Sequence, residues 1–373
     1  MTTFFQRKYT FLFALSLFYQ TVMSQGATVD TFFDVKGFAI GAPNAKEVNR
    51  FIKFIHDELG PRKVTHLLLR VDYKYEYKSR PELRDSFPLT YKDAKALVDA
   101  CKAHKIEIVP QVNLLGHQSW HTKHTRLLSV YPQFDETPHV KLPETYKWPN
   151  ADGLYCKSYC PLHPEVHAVV FDLVDEICDV FEAKAFHAGM DEVFYIGDDK
   201  CPRCSGLDKA DLFAGEVNKI RNHLNLKQRE LWIWGDRLID GKLTGIGLWE
   251  ASMNNTHRAI DLIAKDVVIC DWHYERPDQT PVYFASKGFR VITCPWNRPQ
   301  VAILQAEDMA RWRQYATKTM KPKYYGIMQT VWSGPSGFMD NYYNVTTVPA
   351  DRGNPSATFK AVFDKMKELE QKK

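Results

Sequence analysis

Two carboxylates stand side by side at Asp191 and Glu192, closing a short apolar run that reads Phe186-His187-Ala188-Gly189-Met190. Adjacent acids can divide labour. If one stays ionised, its charge lifts the pKa of the other toward neutrality and makes it a general acid. On an extended backbone successive side chains point to opposite faces, so the pair serves one ligand only if the chain turns there. The same two residues would also suit a helix N-terminus, where the macrodipole favours anions. Other chemistry-bearing residues end apolar runs in the same way: Asn113 and His117 after Val109–Val112, then Trp234, Trp272 and Trp332. His117, His121 and His124 are close in sequence, but nothing follows the HExxH pattern, and no catalytic metal is expected. Of eight cysteines, Cys101, Cys178, Cys270 and Cys294 lie in apolar patterns and read as buried thiols. Cys156 and Cys160, with Cys201 and Cys204, form CxxxC and CxxC pairs in loops. They read as a loop staple, either a structural zinc site or two disulfides.

These residues need a scaffold, and the chain supplies alternating elements. Val35–Ile40 reads as a strand followed by a helix over 45–59; Thr65–Val71 is a second strand, and a helix over 91–104 leads into strand Glu107–Val112. Helix 166–181 precedes strand Ala185–Gly189, and helix 210–225 precedes strand Leu231–Trp234. Strand Val267–Asp271, a short helix over 282–286, strand Arg290–Thr293, helix 301–317 and strand Tyr325–Val331 complete the series. Eight strands alternating with helices predict parallel βα units. An open doubly wound sheet competes, but no GxGxxG or GxxxxGK turn occurs. Polar and aromatic residues at strand ends fit a (β/α)8 TIM barrel, whose sites lie at the C-terminal ends of the strands. Gly245–Trp249 is a ninth strand-like run and is expected in a loop.

With 49 basic and 45 acidic residues the formal charge is +4, so no basic stripe marks a nucleic-acid binder. The 373 residues, 45% hydrophobic, exclude a disordered chain and suffice for a large core. Arg7 and Lys8, the apolar run Phe11–Tyr19 and the small or polar residues Ser24, Gln25 and Gly26 predict a signal peptide over 1–25, leaving a single catalytic domain over 26–373. The apolar run is too short to span a bilayer, which takes about 20 residues. The expectation is an exported protein without membrane attachment after cleavage. Asn254-Asn255-Thr256 and Asn344-Val345-Thr346 are glycosylation sequons in a eukaryotic secretory host.

Phe186–Val193 resembles the His-x-Gly-Gly-Asp-Glu signature of family 20 glycoside hydrolases, the β-N-acetylhexosaminidases, with Met190 in place of one glycine. Val109–His117 is similar to the family's Pro-Glu-x-x-x-Pro-Gly-His strand. Leu231–Asp236 and Gly326–Trp332 resemble its later tryptophan-ended strands, in the same order along nearly the whole chain. The resemblance implies exo-hydrolysis of terminal β-linked N-acetylglucosamine or N-acetylgalactosamine with retention, the substrate's own acetamide serving as nucleophile. It implies Glu192 as general acid and Asp191 as the residue that orients the acetamide and stabilises the oxazolinium. Trp234, Trp272 and Trp332 would form the apolar box and aromatic floor for the sugar. Tyr274 is the candidate partner of the acetamide oxygen, and His117 and His187 would orient the dyad or contact substrate. No cofactor is implied for catalysis.

The chain also departs from the family pattern. Strand Gly37–Pro43 lacks the arginine that grips the sugar's hydroxyls, and Arg70 could substitute or merely pair with Asp72. The last strand continues Trp332-Ser333-Gly334 rather than Trp-x-Glu, and the α+β domain that usually precedes the barrel is not expected. Two alternatives follow: a barrel that binds amino-sugar glycans without cleaving them, and a retaining glycosidase with a conventional carboxylate nucleophile.

Overall fold

The computed structural model describes residues 31–147, 156–346 and 353–372; the expected signal peptide falls outside them. Eight parallel strands close into a barrel: β1 (Val35–Gly41), β2 (His66–Arg70), β3 (Glu107–Leu114), β4 (Ala185–Gly189), β5 (Glu230–Trp234), β6 (Val268–Asp271), β7 (Arg290–Thr293) and β8 (Tyr324–Thr330). Each pairs with its sequence neighbours, and β8 closes on β1 through Val35↔Gly326 to Ala39↔Thr330. The expected barrel is therefore present, and 245–249 lies in a loop.

The helices that cover the strands form where apolar spacing and capping agree. Helical turns run from Ala45 to Leu59, including α1 (Val48–Phe54), and Asn44 caps their start by accepting from the Lys46 N–H. The helix α2 (Tyr91–Ala103) opens with a Thr90–Asp93 capping box. Next come α3 (Val166–Val180), α4 (Lys209–Asn225), α5 (Thr280–Ser286) and α6 (Pro299–Tyr315). Two further helices that the apolar series did not predict follow β8, α7 (Pro335–Tyr342) and α8 (Pro355–Gln371). In α8 the buried Phe359, Val362, Phe363 and Met366 follow the i, i+3, i+4, i+7 spacing of a core-facing helix. They close the barrel's outer layer, with Phe359 packing on Phe38 of β1 at 5.0 Å.

Period-two alternation sorts each strand into an outward face, packed under the helices, and an inward face. The inward layer contains Val35, Ala39, Leu68, Val109, Ala185, Trp232, Val268, Cys270, Ile292 and Met328. Following the same alternation toward the C-terminal ends brings Arg70, Asn113, His187, Trp234, Trp272 and Trp332 to one mouth. Among the described residues no helix is long and apolar enough to cross a membrane.

Candidate active site

Beyond β4 the backbone turns sharply. Gly189, Met190 and Glu192 have φ of +71°, +72° and +49°, the left-handed region that side chains with a Cβ avoid. Only glycine fits at 189, because a Cβ there would lie 2.4 Å from Asn113 Oδ1. Met190, standing where the family pattern has glycine, carries a backbone strain of about 1–3 kcal/mol. Its side chain is 1% exposed, and burying a methionine contributes about 1.5–3 kcal/mol, so packing offsets the strain. The turn is what lets consecutive carboxylates address one place.

His117 joins them. It lies past β3 at φ +53°, where Gly116 passes so close to the Asp191 carbonyl that a Cβ would sit 2.7 Å from it. His117 Nε2 is 3.1 Å from Asp191 Oδ2 and 3.5 Å from Glu192 Oε2. The Cys156 thiol donates to Glu192 Oε2 at 3.1 Å and lies 3.7 Å from His117 Nδ1. The Glu192 N–H donates to Asp236 Oδ2 at 2.9 Å.

The two acids sit in opposed environments. Burial raises the Glu192 pKa, His117 lowers it and the Asp191 charge raises it again, leaving it at about 7. Burial also pushes Asp191 up, but the His117 charge and hydrogen bond outweigh it and hold Asp191 below the usual carboxylate value. Burial works against a charged His117 ring, yet Asp191 beside it keeps the ring protonated well above its ordinary range. One acid stays ionised while its neighbour holds a proton near neutrality. Asp191 Oδ1, buried, accepts no hydrogen bond among the described residues.

The aromatic residues gather at the same mouth. Trp332 donates from Nε1 to the Tyr274 hydroxyl at 2.7 Å, and its ring centroid is 5.5 Å from that of Trp234. Trp272 packs on Tyr274 at 5.1 Å and donates to Asp236 Oδ1 at 3.3 Å. Arg70 lies with its guanidinium 4.7 Å over the Trp332 ring and donates to the Val331 carbonyl at 2.8 Å. It does not pair with Asp72, whose Oδ1 instead accepts from the Asn113 N–H and Nδ2. A crevice of about 790 Å³ is lined by Ala42–Glu47, Lys74, Asp85–Phe87 and Ser333–Gly337, and neither acid nor any of the wall aromatics lines it.

Two expectations are corrected, for His187 and for Cys156. His187 is not positioned to touch substrate: the inward alternation of β4 places it beneath the turn, fully buried against Trp234 at 4.4 Å. Burial lowers its pKa to about 3, so the ring is neutral, and its Nδ1 accepts the Gly189 N–H. It positions the turn. Trp234, 1% exposed, packs against Trp332 at 5.5 Å. Cys156 does not join the other loop cysteines. Between Cys156 and Cys160 the backbone is held by Tyr159 N–H to the Leu115 carbonyl and Cys160 N–H to the Phe134 carbonyl. Cys156 reaches the acids, and Cys160 reaches the CxxC turn.

Sequence reasoning also missed Asp236 and Arg237. Both side chains are fully buried, with Arg237 Nε 2.6 Å from Asp236 Oδ2. Arg237 also donates to the carbonyls of Leu248, Trp249 and Ala251, which pins the 245–251 loop beside the mouth. The signal was available in Trp234-Gly235-Asp236, a polar residue just past a barrel strand. Asn254, in the first sequon, donates from Nδ2 to the carbonyls of Val193 and Phe194, whereas Asn344 is exposed.

Comparison with known proteins gives this geometry a family. The chain resembles the lacto-N-biosidase of Bifidobacterium bifidum, 24% identical over 238 residues covering 61% of this chain and 18% of that protein. It also resembles hexosaminidase D of Bos taurus, 22% identical over 182 residues and 47% of each chain. The chain thus spans less than half the length of either relative. Among solved structures, a chitobiase of Flavobacterium johnsoniae shares the fold with a TM-score of 0.60 at 16% identity, over 90% of this chain and 52% of that one. The model of the glycosyl hydrolase family 20 catalytic domain matches residues 68–345, which include the strained turn, both acids and the tryptophan wall, and the chain belongs to that family.

Proposed function

We propose that the chain is an exo-acting β-N-acetylhexosaminidase that removes terminal β-linked N-acetylglucosamine or N-acetylgalactosamine by substrate-assisted retaining catalysis. The observation that carries the reading is the pair of opposed acids at the aromatic mouth, with Glu192 at about 7 and Asp191 held ionised. Glu192 donates its proton to the glycosidic oxygen as the bond to the leaving group breaks. Asp191 Oδ1, an acceptor the protein leaves unmet, takes the acetamide N–H and turns the carbonyl oxygen toward the anomeric carbon. Attack by that oxygen closes the oxazolinium ring, whose positive charge the Asp191 carboxylate stabilises. Water, deprotonated by the now ionised Glu192, reopens it and restores the starting protonation. Fixing an internal nucleophile supplies several kcal/mol by proximity, about 7–11 in the best-oriented cases. Trp332 and Tyr274 shape the box for the acetamide, and Arg70 takes the place of the missing arginine toward the sugar hydroxyls.

Two relatives bear hexosaminidase names, the bovine protein and a β-hexosaminidase of Akkermansia muciniphila, which supports the same substrate class. The test compares chromogenic N-acetylglucosaminides and N-acetylgalactosaminides with glucosides lacking the 2-acetamido group. Turnover of the acetamido sugars alone is expected, with Glu192→Gln lowering kcat by about 10²–10⁴ for the natural leaving group. Equal turnover of plain glucosides means a carboxylate nucleophile. Binding of amino-sugar glycans that Glu192→Gln leaves intact, with no turnover of any of them by the unaltered chain, makes the barrel a binder.

A further inference from the structure

Three of the four loop cysteines meet somewhere other than the mouth. Cys160, Cys201 and Cys204 converge with Glu136, every ligand atom within 4.8 Å of the others and all four residues buried. The Cys160 sulfur is 3.4 Å from that of Cys204 and 3.6 Å from that of Cys201. We propose that these four residues bind one structural Zn²⁺ as a Cys3Glu site, tying the loop after β3 to the loop after β4.

Several independent features point to a cation. Glu136 is fully buried, and while its Oε1 accepts from the Asp198 N–H at 3.1 Å, its Oε2 has no donor among the described residues. A buried carboxylate oxygen without a donor is costly in a protein interior, and a metal relieves it. Cys201 and Cys204 lie on a tight turn closed by the Ser205 N–H to the Cys201 carbonyl, which sets both sulfurs on one side. A disulfide would use two of the three cysteines and leave the odd thiol and the buried carboxylate unmet. Four ligands rich in thiolate, with no open position, are the chemistry of tetrahedral structural zinc. Binding releases the thiol protons to solvent, with no redox step.

The joined loops carry His117 and Cys156 on one side and Asp191 and Glu192 on the other, so the ion would hold together the two halves of the acid dyad's setting.

The experiment uses the full chain, purified from zinc-replete medium without chelator. Zinc content is measured by plasma emission, and thiols by alkylation and mass spectrometry without reductant. The expected result is one zinc per chain and no disulfide among Cys160, Cys201 and Cys204. Glu136→Gln and Cys204→Ser should weaken zinc retention by more than about tenfold, since loss of even an outer partner costs ten- to a hundred-fold. Cys156→Ala should retain zinc in full. Should Cys204→Ser fail to fold, the unaltered chain with cobalt(II) in place of zinc reports the same site through a thiolate-to-cobalt charge-transfer band. A folded chain that takes up neither ion, or a disulfide within the trio, overturns the proposal.

Discussion

Replacing Cys156 by alanine tests the placement that sequence reasoning got wrong. In the structure its thiol donates to Glu192 Oε2 at 3.1 Å, a bond that favours the ionised carboxylate and holds the Glu192 pKa down. A hydrogen bond to a charged group contributes about 1.5–3 kcal/mol, and a thiol is a weak donor, so roughly 0.7–1.4 kcal/mol is at stake here. At 1.36 kcal/mol per unit that is about half to one pKa unit. The Glu192 side chain is only 14% exposed, so solvent screens little of it. As general acid Glu192 works protonated, and kcat/KM falls as pH rises through its pKa of about 7. Cys156→Ala therefore moves the alkaline limb upward by about half to one unit, while Cys156→Ser, with a stronger donor, moves it the other way or leaves it in place. The assay is a pH profile of kcat/KM on a chromogenic N-acetylglucosaminide. If the alanine variant's limb stays put or falls, the thiol does not bear on Glu192, and if the variant loses its zinc, Cys156 belongs to the metal site after all.

Asp236→Ala leaves the fully buried Arg237 without its carboxylate, and urea denaturation should show a loss of about 3 kcal/mol, the lower end for a broken buried pair because three carbonyls still hold the guanidinium. A loss under 1 kcal/mol would mean that solvent reaches the pair. A second effect concerns pH and stability. Burial disfavours a charged His273, but Asp271 and Glu250 outweigh it and raise its pKa from 6.5 to about 10. Stability from this group is therefore fully present below pH 6.5 and is lost as pH rises through about 10. Denaturation midpoints measured across that window should fall in the native chain and fall less in His273→Gln; parallel slopes would refute the assignment.

Much of the architecture was legible along the chain because it rests on local rules. Alternating apolar runs and amphipathic segments specify βα units, and period two decides which residues of a strand point inward. Hence Arg70, Trp272 and Trp332 could be assigned to one end of the barrel before any coordinates, and the adjacent acids could be recognised as a unit. The closing helix α8 had the same local signature, in Phe359, Val362, Phe363 and Met366.

What the order of residues did not reveal is depth and partnership. Whether a strand-end side chain opens to the mouth or lies beneath it depends on the stagger of neighbouring strands, so His187 lies under the turn rather than at the mouth. The long loop after β3 carries both Cys156 and Cys160, and tertiary packing sends the first to Glu192 and the second to Cys201, Cys204 and a distant carboxylate, Glu136. The opposed pKa values of Asp191 and Glu192 arise from burial and from His117, contributed by another strand's loop. Sequence determines which groups are available and the face each strand presents; desolvation and through-space charge, which depend on long-range packing, decide what those groups can do.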